Sequence, residues 1–217
     1  MEYTLAYLRE RVLEDKLDDD SFDPVIVDRF LNDAQRAIYN SVELPFMEKV
    51  FAGTISASQY IFTFPDDYKK SQSLILTAPE GQQRNLTNFY LGFRDFNNRF
   101  PDPSQNGVSP PTLWTLHADK LYFSAPTDQQ YTMTMYYIKR PEKMVEDEDV
   151  PSVPEDFEEL LLLGAHYRIL QRNEDFDLAG AVKAEYLEEY DKLIPSYGTR
   201  QTGKPTIMGR PNMRRGR

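Results

Sequence analysis

The sequence contains no cysteine. Disulfides, thiolate metal sites and cysteine nucleophiles are therefore excluded, and the composition fits a reducing compartment. Histidine is nearly as scarce, with only His117 and His166. His117 falls in a predicted turn beside Asp119, and His166 on a predicted helix between Ala165 and Tyr167. Neither has a second ligand at metal-site spacing. No run of about 18 apolar residues exists, so no membrane span is expected. The opening MEYTLAYLRER is charged and amphipathic, unlike a signal peptide. Nucleophile elbows, phosphate-cradling loops and dinucleotide fingerprints are missing. The stretch Pro65-Asp66-Asp67-Tyr68-Lys69 shares letters with a nuclease motif, but that chemistry needs a second acid and a lysine on a separate strand. It reads as a strand-ending turn. No cofactor, metal or catalytic residue is expected, and an enzyme is the least supported reading.

What the sequence has in excess is acid. The 217 residues carry 35 Asp and Glu against 25 Lys and Arg, a net charge of −10. The balance is uneven along the chain. Residues 199–217 hold six cations (Arg200, Lys204, Arg210, Arg214, Arg215 and Arg217) and no acid. The first 198 residues thus carry 19 bases against 35 acids, a net of −16. An acidic body with a basic tail suggests a tail that docks away from its own body. The tail, GTRQTGKPTIMGRPNMRRGR, is too polar and glycine-rich to pack a core. It is either an unstructured terminus or an arm ordered on a partner, in which Thr206, Ile207 and Met208 form an apolar island able to add a strand to a neighbouring sheet.

Helical periodicity occupies the two ends. Thr4 to Leu17 places Leu5, Leu8, Val12, Leu13 and Leu17 on one stripe. Asp23-Pro24 is a cap followed by a first-turn proline, and Val27, Phe30, Leu31, Ala34 and Ile38 face inward after it. The acids Asp18, Asp19, Asp20 and Asp23 lack the spacing and glycine of a calcium loop and read as a solvated linker. Near the other end, Ser152 and Glu155 have capping-box spacing. Phe157, Leu160, Leu161, Gly164, Tyr167 and Leu170 recur at threes and fours. A polar break follows at Asn173 to Asp177. A second helix carries Leu178, Ala179, Val182, Tyr186, Tyr190 and Leu193 and stops before Pro195.

Between Phe46 and Arg140 the period changes to two. Strands are expected around Ser56-Ala57-Ser58, at Ser71 to Thr77, Thr112 to His117, Lys120 to Ser124 and Tyr131 to Arg140. Leu86 to Phe100 is ambiguous, with a short helix as one reading. Pro141 to Pro154 is an acidic, proline-bounded linker. The expected fold class is α+β. A small helical bundle is built from residues 1–45 and 142–197, with an inserted antiparallel β-barrel or sandwich (46–141) and an extended basic arm (198–217). Two helical pairs parted by an insertion must meet, because neither alone buries its stripe.

Two surfaces are candidates for function. One is the arm, through Arg200, Lys204, Thr206, Ile207, Met208, Arg210, Arg214, Arg215 and Arg217. The other is an acidic helical face of Glu155, Asp156, Glu158, Glu159, Glu185, Glu188 and Glu189. Acidic runs are ordinarily solvated faces; lining a DNA channel is the functional alternative, because repulsion between carboxylates and phosphates prevents sticking. The aromatics, 13% of the chain, cluster in the β block. They serve a core and protein interfaces, or alternatively stack single-stranded nucleic acid on a β-barrel.

Read together, several segments resemble the head-tail adaptors of tailed bacteriophages, also called connector or head-completion proteins. They are DPVIVDRFLNDAQRAIYN, Phe64-Pro65-Asp66-Asp67-Tyr68, Pro111 to Trp114, Lys120 to Pro126, Tyr136 to Pro141, Val153 to Phe157, Leu163 to Arg168 and Ala184-Glu185-Tyr186. The helix–β–helix plan is also similar to that of podophage tail tubular proteins. The resemblance covers the chain to about Tyr197. It implies a non-enzymatic virion protein at the head-tail interface, assembled in the host cytoplasm. It further implies a homo-oligomeric ring, commonly of twelve subunits, under the portal protein. Its helices would line a lumen that DNA traverses without specific binding, its β block would face tail or nozzle proteins, and its arm would dock on the portal.

Overall fold

The computed structural model describes residues 2–19, 21–105 and 107–197. The chain is α+β, and its described residues form five α-helices and two four-stranded sheets. Helix α1 (Leu5–Arg11) is capped by Thr4, whose hydroxyl accepts from the Tyr7 amide. It runs on into a π-helical turn, Val12–Leu17, so the single α-helix expected to Leu17 is α only in its first half. Helix α2 (Pro24–Ser41) begins where the Asp-Pro pair puts it, with the Asp23 carboxylate accepting from the Val25 amide.

Helices α4 (Glu158–Arg172) and α5 (Phe176–Ser196) form the expected hairpin. Two local details differ from the sequence reading. Ser152 does not build a capping box; its hydroxyl accepts from the Glu142 amide, and a 3-10 turn, Glu155–Phe157, leads into α4. Helix α5 also does not stop before Pro195. It continues to Ser196, with proline in its last turn, where Tyr197 closes the end through its amide to the Ile194 carbonyl.

The terminal helices share one core. Leu5, Leu8, Val27, Leu31, Ala34 and Ile38 pack with Phe157, Leu160, Leu161, Ala165 and Ile169. Helices α2 and α4 approach closely at Gly164, where an added Cβ would lie 2.8 Å from the Ala34 Cβ. Only glycine admits that spacing.

The insertion is a sandwich; the described residues form no closed barrel. One sheet has the order β1 (Glu48–Ile55), β8 (Tyr131–Lys139), β3 (Tyr68–Thr77), β4 (Gln83–Asn85). The other runs β2 (Ile61–Thr63), β7 (Lys120–Phe123), β6 (Leu113–His117), β5 (Thr87–Asn88). The two strands flanking Ser56-Ala57-Ser58 therefore join different sheets. The ambiguous stretch resolves into β5 and a short helix, α3 (Phe93–Arg99). The space between the sheets is filled by Ile55, Leu74, Leu76, Trp114, Leu121, Phe123, Met133, Met135 and Tyr137. The aromatics Phe64, Trp114, Phe123, Tyr131 and Tyr137 are buried there, and Phe51, Tyr60, Phe62 and Tyr68 pack against them.

Two features couple the units. Strand alternation sends Tyr137 into the sandwich core and Ile138 into the helical core, so adjacent residues of β8 belong to both. The stretch joining β8 to α4 is built into the bundle as a strap. Met144 and Val153 are buried. Asn32 holds the Met144 backbone from both sides, donating to its carbonyl and accepting from its amide, each at 2.9 Å. Gln35 does the same across the strap, donating to the Glu142 carbonyl and accepting from the Ser152 amide. The acid run is part of this design. The carbonyls of Asp149 and Asp147 accept from the amides of Leu5 and Ala6, two of the unpaired donors that open α1.

Candidate functional site

The chemistry-bearing residues are placed as structure. The Asp67 carboxylate receives Lys49 from β1 and the Tyr137 hydroxyl from β8, both at 2.7 Å. Burial pushes this carboxyl up, but those two hydrogen bonds outweigh it and hold it below its ordinary value. The Lys69 ammonium, held low by burial, donates to the Tyr39 carbonyl at the end of α2. The PDDYK turn is thus a junction between sandwich and bundle. His117 stacks on Phe93, with ring centroids 4.0 Å apart, on an exposed part of the second sheet. His166 is half-buried, and burial depresses its basicity. Among the described residues no three His, Asp or Glu are grouped to hold a metal ion, and no helix is long and apolar enough to cross a membrane.

The seven candidate acids do not form one face. Glu158 accepts from the Tyr7 hydroxyl at 2.9 Å and lies 3.7 Å from Arg11. Glu159 pairs with Lys16 at 2.6 Å. Both are half-buried and tie α4 to the α1 segment. Asp156 accepts from the Tyr197 hydroxyl. Glu189 lies toward Lys192 on its own helix. Glu155, Glu185 and Glu188 remain outward and exposed. The last two lie on α5, which buries only Ala179, Val182 and Ile194 of its 21 residues. That helix packs on α4, half-buries Tyr186, Tyr190 and Leu193 against the helical core, and leaves Phe176 and Leu187 exposed. It carries five acids against two lysines. The nine arm residues, Arg200 through Arg217, lie outside the described residues.

A family comparison identifies the kind of protein this is. The model of the SU10 adaptor protein family matches residues 3–215. The chain belongs to this family. The resemblance to bacteriophage head-tail adaptors is thereby borne out, and the match runs past Tyr197 through most of the basic tail. Among curated proteins no match is found. An SU10 adaptor is a structural component of the phage particle that works through contacts with other virion proteins, so its working parts are surfaces.

One surface feature escaped the sequence reading. The outward residues of three adjacent strands line up by register: Val50, Tyr136 and Ser73; Ala52, Thr134 and Ile75; Thr54, Thr132 and Thr77. Asn85 and Gln83 of β4 extend the last two rows. None of these is charged, in an adaptor whose residues are 28% charged. The signal was present as alternation in each strand, but only the register makes it a surface.

Proposed function

We propose that this adaptor forms a ring that joins the portal vertex of a phage head to its tail and continues the DNA channel. The helical units associate side by side, α5 and its outward Glu185 and Glu188 border the lumen, and the sandwich faces the tail or nozzle proteins. The basic arm reaches the portal. Family membership is the observation that carries this reading. The architecture supports it in a second way. Two cores, coupled through β8 and the strap, give one subunit two firmly related faces for different partners. Ring closure needs unlike, mutually complementary surfaces on each subunit; an acidic outer helix and a basic arm supply such a pair. The outward carboxylates remaining on α5 would repel phosphates and leave DNA free to slide.

The alternative, a single-stranded nucleic-acid-binding barrel, loses its support. The described residues form two open sheets, and Phe64, Trp114, Phe123, Tyr131 and Tyr137 are buried between them.

Electron microscopy of the protein mixed with the portal of its own phage tests the proposal. Rings coaxial with the portal are expected. Absence of any ring and of co-assembly overturns it. Removing residues 199–217 is expected to abolish portal binding in co-sedimentation while the body still melts cooperatively; binding that survives the truncation refutes the role of the arm.

A further inference from the structure

Two open surfaces of the helical unit differ in chemistry and match in length. The first is a groove of about 550 Å³ between α2 and the strap. On α2 it is lined by Val25, Arg29, Asp33 and Arg36, which follow at i, i+4, i+8 and i+11. At about 3.6 residues per turn they stand on the side of the helix opposite Ala34, which meets α4. The strap supplies the other wall. It runs against the direction of α2, with Met144 bonded to Asn32 and Glu142 to Gln35. Val145 therefore falls toward Val25, and Lys143 toward Arg36. One end of the groove is apolar yet open to solvent: Val25 is 71% exposed and Val145 62%. The rest is cationic. Asp28 is held by Arg9 and Asp33 by Arg36. Arg29 lies over the Phe30 ring, and neither it nor Lys143 makes an ion pair among the described residues.

The second surface is one flank of α5. Phe176, Gly180, Ala184, Leu187 and Asp191 follow at i, i+4, i+8, i+11 and i+15, and all are exposed. Phe176 is 67% exposed and Leu187 50%. A Cβ added at Gly180 would meet nothing within 4 Å. Asp177 and Asp191 border this flank and make no ion pair among the described residues.

We propose that the two surfaces are the halves of one contact between copies of this chain, with α5 of one subunit lying in the α2–strap groove of the next. Three observations select a second copy as the occupant. The first is length. Phe176 to Leu187 and Val25 to Arg36 are each eleven steps of helix, about 16 Å. The second is the order of apolar and charged groups. Laid parallel, Phe176 seats on Val25 and Val145, Asp177 comes toward Arg29, and Asp191 toward Arg36 and Lys143. Reversing α5 would set Phe176 beside Arg36 and carry Asp191 past the apolar end, so the charges fix the direction. The third is that the surfaces are unlike. A face that fits a different face of the next copy builds rings where the rotation closes, whereas a self-complementary face stops at a pair. The groove is lined by α2 and the strap alone, so a subunit's own α5 does not fill it.

This contact rests on the ring proposed above and names the faces that meet in it. Glu185 lies on the other flank of α5 and stays clear of the groove.

Cross-linking tests the contact cleanly, because introduced thiols have no native competitor in a chain without cysteine. Val145→Cys and Phe176→Cys are placed singly and together in the full-length protein. Rings assembled on the portal of its own phage are then treated with a short bismaleimide. The double variant is expected to give a ladder of covalent oligomers on a denaturing gel. Each single variant should stay monomeric, and a mixture of the two should stop at dimers, because each chain then offers one half of the contact. Adding Asp177→Lys and Asp191→Lys should lower the ladder about tenfold. Arg29→Glu and Lys143→Glu in the same chain should restore it. Rings that form without a ladder in the double variant overturn the contact and leave the ring standing, with these surfaces turned to other virion proteins. Dimers in either single variant overturn it as well, since like faces would then be meeting. If the unaltered protein forms no ring, ring and contact fall together.

Discussion

Replacing Gly164 by alanine tests whether the contact between α2 and α4 fixes the bundle. In an exposed helix the change would stabilise by up to about 1 kcal/mol, because glycine loses more backbone entropy on folding. Here the new methyl would sit 2.8 Å from the Ala34 Cβ, 3.3 Å from the Tyr186 ring and 3.4 Å from the Arg168 guanidinium. Ordinary carbon contacts lie at about 3.5–4.0 Å. Tyr186 and Arg168 can turn aside, but a Cβ has no rotamer. The helices must separate by most of an ångström, in a core where Leu31, Ile38, Leu160 and Leu161 are fully buried. Overpacking of this type costs about 1–3 kcal/mol. Set against the propensity gain, a net loss of about 1–2 kcal/mol is expected. Urea denaturation gives the number, with an unchanged slope showing that the unfolded reference is the same. Ala34→Gly, which removes the opposing methyl, should rescue the variant, so that the double mutant is more stable than the sum of the singles by about 1 kcal/mol or more. Additive effects, or a Gly164→Ala protein more stable than the parent, would refute the close-approach argument.

Three further outcomes follow from the strap and the half-buried histidine. Asn32→Ala strands the buried Met144 amide and carbonyl and should lower stability by about 2–4 kcal/mol in the same assay; a loss below about 0.5 kcal/mol would mean the strap is not held there. His166 has its folded affinity for protons depressed by burial and by Lys16, against Glu185. Its unfolded form therefore takes up a proton first, and stability should fall as pH drops below the ordinary histidine value of 6.5. His166→Gln should flatten that slope between pH 7 and about 5.5, and a slope unchanged in the variant would clear the histidine of responsibility. Asp149 is held low by the amides of Val145 and Glu146. The stability it lends is full above the ordinary carboxyl range and lost as pH falls through its lower folded value. Asp149→Asn should remove that part of the acid sensitivity in melts below about pH 4.

By itself the sequence determined the elements and what they are made for. Periods of 3.6 and 2 separated the helical ends from the β block, because a helix and a strand bury different spacings of the same apolar residues. Asp23-Pro24 set the start of α2, since a cap and a first-turn proline act locally. The missing cysteines and isolated histidines removed whole classes of chemistry, and the family was legible in the order of short segments. Tertiary structure alone decided what those residues meet. Ser152 looked like a helix cap until the Glu142 amide, ten residues away, claimed its hydroxyl. Glu158 and Glu159 looked like solvated surface until Tyr7, Arg11 and Lys16 came to them from the other end of the chain. Asn32 and Gln35, polar residues on a buried stripe, had no explanation until the strap lay over them. The uncharged plateau needed β1, β8 and β3 to be set in register across 80 residues of intervening chain. Local rules are written into neighbouring residues, whereas partners far apart in sequence are chosen by which arrangement satisfies every buried polar group and closes both cores at once.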